Sequence, residues 1–132
     1  MSLAKCCIVL SNMNQQPIPP IDLAHLHQIS EGDIEFEIDV LRVYIEDISQ
    51  RIESIRKAIA NDDLPKLMGA AHHIKGASGN VGALQIQSLA VQLEKLGELQ
   101  DQGAISVIID EMLEKIKVVE QFIDEKSAAL SS

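Results

Sequence analysis

Two adjacent histidines stand in the run Ala70-Ala71-His72-His73-Ile74-Lys75-Gly76-Ala77-Ser78-Gly79-Asn80-Val81-Gly82-Ala83. Here residue types and spacing suggest chemistry. A neutral imidazole is a nucleophile and a proton carrier near neutral pH. A lysine one turn away on a helix could balance an anion attached to such a ring. Three glycines, Gly69, Gly76 and Gly79, lie inside or near the end of the helix that this stretch predicts. Each interior glycine costs about 1 kcal/mol relative to alanine, so bare backbone there should have a use.

A helical wheel indicates the use. At about 100° per residue, Leu64, Leu67, Ala71, Ile74 and Ser78 set the direction of a buried seam, and His72 points roughly 120° away from it. Gly69, Gly76 and Pro65 fall on the His72 side, so the imidazole projects from a stripe without bulky neighbours. Another protein could approach it closely. Lys75 lies between this stripe and the seam. His73 also points away from the core, in the company of Lys66, Ala70 and Ala77. Periodicity does not choose between the two histidines. Nor does it exclude an ordinary surface histidine, or glycines that serve only close helix packing.

The elements that must hold this stretch are helices. Ile34, Ile38, Leu41, Ile45, Ile48, Ile52, Ile55 and Ile59 alternate spacings of four and three, which predicts one amphipathic helix from about Asp33 to Ala60. Asn61-Asp62-Asp63 ends it and caps the histidine helix, with Pro65 in the first turn and Gly79-Asn80 or Gly82 at the end. A third seam uses Ile86, Leu89, Leu93 and Leu96 and stops near Gln102-Gly103. A fourth uses Ile105, Ile109, Met112, Ile116, Val119 and Ile123. Upstream, Asp22 can cap a short helix carrying Leu23, Leu26 and Ile29, broken by Ser30-Glu31-Gly32-Asp33. Short connections favour antiparallel neighbours. The expected fold is all-α: an antiparallel up-down-up-down four-helix bundle with a short extra N-terminal helix. Residues 1–20 read as a flexible extension, 21–126 as the bundle and 127–132 as a frayed tail.

Composition narrows the function classes. The chain has 132 residues, 46% of them hydrophobic, with two Phe, one Tyr and no Trp. One aliphatic core in one domain follows. The net charge of −9 argues against a nucleic-acid or anionic-membrane partner. Cys6 and Cys7 are adjacent and form no disulfide framework. The apolar run after them is too short to span a bilayer, and a cytoplasmic location is expected. A metal-binding bundle is disfavoured: His25, His27, His72 and His73 are spaced by two and by one, not by the three or four that pair ligands on a helix.

The segment His72-x-Ile74-Lys75-Gly76-Ala77-Ser78-x-x-Val81-Gly82-Ala83 resembles the signature of histidine-containing phosphotransfer (HPt) domains. That signature is histidine, any residue, Leu or Ile, Lys, Gly, two small residues, then an apolar-Gly-Ala turn. The resemblance extends over roughly residues 21 to 125. Gly32-Asp33 with Phe36 and Leu41 is similar to the family's opening of the preceding long helix. Ala60-Asn61-Asp62-Asp63 is similar to its helix break, and Leu89, Leu93 and Glu94 to its following helix.

The resemblance implies that His72 is the phosphoryl acceptor and His73 the variable position after it. Lys75 would neutralise the phosphoryl group, Gly76 would clear space beside the ring, and Glu94 would orient the imidazole. Pro65, Gly69 and Gly79 become candidates for close contact with a partner. The implied partners are response-regulator receiver domains and a hybrid sensor histidine kinase. The chain is expected to be monomeric and to need no cofactor of its own, the Mg2+ belonging to the receiver. With no glycine-rich nucleotide loop, it should carry phosphate without ATP-dependent kinase activity. The competing reading is a helical module that binds receivers without carrying phosphate.

Overall fold

A computed structural model of the chain describes residues 20–131. The expectations placed on residues 1–19, including Cys6 and Cys7, lie outside them. Among the described residues, five helices follow one another: α1 (Leu23–Ser30), α2 (Ile34–Ala60), α3 (Leu64–Val81), α4 (Leu84–Leu99) and α5 (Gln102–Ser131). Helices α2 to α5 pack in a ring, α2 against α3, α3 against α4, α4 against α5, and α5 back against α2, while α1 leans on α2.

The caps explain where the helices begin. Asp22, Asp33 and Asp63 each accept a hydrogen bond from the backbone N–H three residues on, at the starts of α1, α2 and α3. Such a cap satisfies one of the orphan N–H groups of a first turn and stabilises it by about 1 kcal/mol. Asp101 does the same for α5 through the N–H of Ala104. The sequence places the break near Gln102-Gly103. It falls instead at Gln100, whose φ of 55° turns the chain, and Gln102 and Gly103 already belong to α5. At its far end α5 continues to Ser131. The frayed tail expected at 127–132 is therefore helical as far as that residue.

The seams bury as their spacing demands. Ile38, Leu41, Ile45, Ile48, Ile52 and Ile55 of α2 join Leu67, Ala71 and Ile74 of α3, Ile86, Leu89 and Leu93 of α4, and seven apolar residues of α5 from Ile105 to Ile123. The seam deviates at its N-terminal end. Ile34 is exposed, as are Leu23 and Ile29 of α1, and only Leu26 among the apolar seam of that helix reaches the core. Ile21, just before α1, is fully buried instead.

Glu37 is an acidic residue inside this apolar packing. Its side chain is fully buried beside the α1–α2 turn. Ser30 Oγ donates to Glu37 Oε2 at 2.5 Å, and His27 Nδ1 lies 2.5 Å from the same oxygen. Lys126 Nζ of α5 is 3.4 Å from Oε1. One carboxylate thus ties α1 and α5 to α2. Burial pushes its pKa up, but the hydrogen bonds of Ser30 and His27, the His27 imidazole and Lys126 together outweigh burial and hold it below the usual value. A carboxyl with a lowered folded-state pKa stabilises the fold above its unfolded value, and that contribution disappears as pH falls through the folded value. Glu37→Gln should therefore cost about 1–3 kcal/mol at neutral pH, the range for hydrogen bonds to a buried charge. Urea melts at falling pH should show the gap between wild type and variant closing below the ordinary carboxylate range.

Candidate functional site

Three residues that the sequence singled out meet on one side of α3. His72 lies midway along that helix, and Glu94 faces it from α4. The imidazole is 72% exposed, and its Nδ1 is 3.5 Å from Glu94 Oε2. Lys75 Nζ, one turn further along α3, is 2.9 Å from Glu94 Oε1. The carboxylate bridges a ring nitrogen and an ammonium. At 3.5 Å the imidazole contact is an ion-pair distance, longer than a normal hydrogen bond. Antiparallel packing of α3 and α4 sets this register. Gly79 faces Gln87, His72 faces Glu94, and Met68 with Leu67 faces Gly97.

The neighbouring histidine is differently held. His73 Nε2 lies 2.5 Å from Asp47 Oδ2 on α2, and its side chain is 38% exposed. The other oxygen of Asp47 is 3.6 Å from Arg51 Nε. His73 therefore ties α3 to α2, whereas His72 leans toward α4 and presents most of its ring to solvent. Ile74, next in sequence, is fully buried and fixes the rotation of α3 between the two.

The glycine stripe separates into two kinds. A Cβ added at Gly69 or Gly76 would meet nothing within 4 Å. Both are exposed, as is Pro65, so the surface beside His72 is open. Gly79 instead faces the side chain of Gln87, which a Cβ would displace. It belongs to the edge of the α3–α4 contact. Gly76→Leu should accordingly leave helicity intact, since its side chain has room, while slowing transfer through His72 by about a hundredfold, as a displaced docking geometry can. Circular dichroism and a phosphotransfer time course read the two effects separately.

Tyr44 and Ser78 support the site from beneath. Tyr44 Oη and Ser78 Oγ, both buried, hydrogen-bond at 2.6 Å between α2 and α3. Burial raises the Tyr44 pKa well above its usual value, and the Ser78 hydrogen bond offsets only part of that, so the phenol stays neutral. On the surface above, Phe36, Val40, Val43, Ala77 and Val81 line an apolar groove between the same two helices, with Asp39, Asp47 and Asn80 also in its wall. The seam spacings did not reveal this groove. Phe36, Val40 and Val43 repeat at four and three, a second stripe beside the isoleucine seam that could have done so.

The other two histidines are committed elsewhere. His25 Nε2 is 2.9 Å from the Asn80 carbonyl, and His27 is at Glu37. Among the described residues no group of three or more His, Cys, Asp or Glu side chains is arranged to hold a metal ion. Nor, among them, is any helix long and apolar enough to cross a membrane.

The bundle thus holds an open imidazole beside a lysine on its outer surface. Residues 39–127, more than half of the chain, match the Hpt domain family, and the chain belongs to it. That makes it a phosphotransfer module of two-component signalling. Solved structures share its fold. One is histidine-containing phosphotransfer protein B from Pseudomonas aeruginosa, with a TM-score of 0.75 at 22% identity, covering 85% of this chain and 98% of that one. Another is the Hpt domain of a sensor hybrid histidine kinase from Shewanella, with a TM-score of 0.66 at 18% identity, covering 88% and 100%. A third is a histidine-containing phosphotransfer protein from rice, described as putative, with a TM-score of 0.71 at 15% identity, covering 95% and 93%. A search of curated proteins gives no match.

Proposed function

We propose that His72 carries a phosphoryl group between proteins, accepting it from an aspartyl phosphate on a receiver domain and passing it to another receiver. The observation that carries this reading is the contrast between the two histidines. The His72 ring is open to a partner, and the His73 ring is held by Asp47. Neutral imidazole is the nucleophile. Lys75 is within a turn of the ring and supplies positive charge as the phosphoryl group arrives. Open backbone at Gly76 and Gly69 lets the receiver bring its aspartate to the ring, and the apolar groove on the α2 side gives that receiver a surface to bury.

In-line attack by the exposed nitrogen needs positioning and charge compensation more than covalent help from the protein. The acidic pocket and its Mg2+ belong to the receiver. The chain acts as a carrier rather than an ATP-dependent kinase. Two incubations test this. A phosphorylated receiver should transfer an acid-labile, base-stable phosphate to the chain, and ATP with Mg2+ alone should transfer none. A chain that binds the phosphorylated receiver without gaining phosphate would be a docking module only.

A further inference from the structure

The position of Glu94 bears on how phosphate leaves the ring as well as how it arrives. Resting on the reading of His72 as the carrier, we infer that the Glu94 carboxylate keeps a proton on Nδ1 of phosphorylated His72 and so makes that ring a fast donor. Glu94 Oε2 is the carboxylate oxygen facing His72 Nδ1, at 3.5 Å, and Lys75 engages the opposite oxygen at 2.9 Å. A small turn of the exposed imidazole closes the first distance to a hydrogen bond. The Asp47–His73 contact lies toward α2, away from this one. The charged groups paired at the His72 ring are thus Glu94 from α4 and, through it, Lys75 from α3.

With Nδ1–H donating to Glu94, Nε2 holds the free electron pair and points toward the partner. Attack forms the Nε2–P bond as the P–O bond of the incoming aspartyl phosphate breaks and its electron pair leaves with the donor carboxylate; the ring becomes a phosphoimidazolium cation while Nδ1 keeps its hydrogen. In donation, a receiver carboxylate oxygen forms the new P–O bond, the Nε2–P bond breaks, and its electron pair returns to Nε2. If Nδ1 still carries hydrogen, the departing group is neutral imidazole. If that proton has been lost to water, the departing group is an imidazolate anion, a far poorer leaving group. A carboxylate beside Nδ1 favours the protonated ring through its charge. An amide in its place can accept the same hydrogen bond and fix the same tautomer, but it lacks the charge. Glu94 is therefore a positioning residue acting through His72, and the difference between carboxylate and amide lies in the lifetime of the phosphorylated ring.

The test uses the full chain and a small phosphoryl donor, phosphoramidate, with no receiver present. Wild type, Glu94→Gln and His72→Gln are labelled at neutral pH, the donor is removed, and loss of the phosphohistidine signal is followed by 31P NMR. Both chains that retain His72 should label on Nε2, and His72→Gln should not label. The phosphate on Glu94→Gln should persist about tenfold longer or more, at the lower end of what a positioned proton contributes. In 15N spectra of the phosphorylated ring, Nδ1 should carry its proton in wild type and lose it in Glu94→Gln. Equal lifetimes with the same Nδ1 signal in both chains would overturn the inference while leaving His72 as the carrier. A wild type that takes no label at His72 would overturn the carrier reading and this inference together.

Discussion

Replacing His72 with glutamine should abolish phosphate uptake from a phosphorylated receiver, and replacing His73 with glutamine should leave it largely intact. The two side chains are adjacent in sequence, and both rings reach carboxylates. The difference lies in geometry. Asp47 holds Nε2 of His73 at 2.5 Å, so that nitrogen can attack only after giving up the contact. His72 can react through Nε2 without losing a contact, since Glu94 faces Nδ1, at 3.5 Å, and most of the ring is exposed. Glutamine keeps the helix, being a good helix former, and offers no phosphorylatable nitrogen. His73→Gln should also lose some stability, since its contact with Asp47 joins α2 to α3. A partly buried charge-assisted pair of this kind is worth about 1 kcal/mol. Transfer assays and urea melts on both variants distinguish chemistry from scaffold. Loss of uptake only in His73→Gln would reverse the assignment.

Gly82→Ala should be the most damaging single-methyl change among the turn glycines. Gly82 ends α3 with a φ of 80°, a left-handed conformation that side chains rarely adopt. Its carbonyl accepts a hydrogen bond from Asp22 N–H at 2.8 Å. A Cβ there would sit 3.1 Å from Asp22 Cβ and 3.2 Å from its carbonyl oxygen. Asp22 cannot retreat easily, because it also caps α1. Gly32 provides the control. Its φ is 85°, but a Cβ there would meet nothing within 4 Å. Gly32→Ala should introduce only backbone strain, about 1–2 kcal/mol. Gly82→Ala should combine that strain with the clash, about 2–4 kcal/mol together. Thermal melts of the two variants isolate the second contribution. Equal losses would mean that seating α1 on the α3–α4 turn contributes nothing to the fold.

Much of this molecule is written in local pattern. Spacings of three and four along α2 and α5 mark a helix and its inner face at once, because burial selects one stripe of a helix. Aspartates before α1, α2 and α3 announce their own caps. Pattern fails where a partner comes from elsewhere in the chain. Glu37 reads as one more surface acid until Ser30, His27 and Lys126 surround it. Its position next to Ile38, on the flank of the seam, was the only local hint. Gln102-Gly103 suggests a loop by residue type, but Asp101 had already capped a helix across it. The pair of histidines is the sharpest case. A helical wheel turns both outward, and only the HPt resemblance favoured His72 over its neighbour. What separates them physically is Asp47, 26 residues upstream on another helix. The motif therefore singled out His72, and the packing gives the two rings different surroundings.

Phosphate on the open ring of His72 is tested most directly by reading its position on the unmodified chain. Wild-type protein should be phosphorylated by a phosphorylated receiver, cleaved under alkaline conditions, and the peptide spanning Leu67 to Lys75 fragmented by electron transfer. The phosphate is expected on His72, on the nitrogen remote from Glu94. Phosphate on His73, or a Leu67 to Lys75 peptide that gains none, would contradict the account.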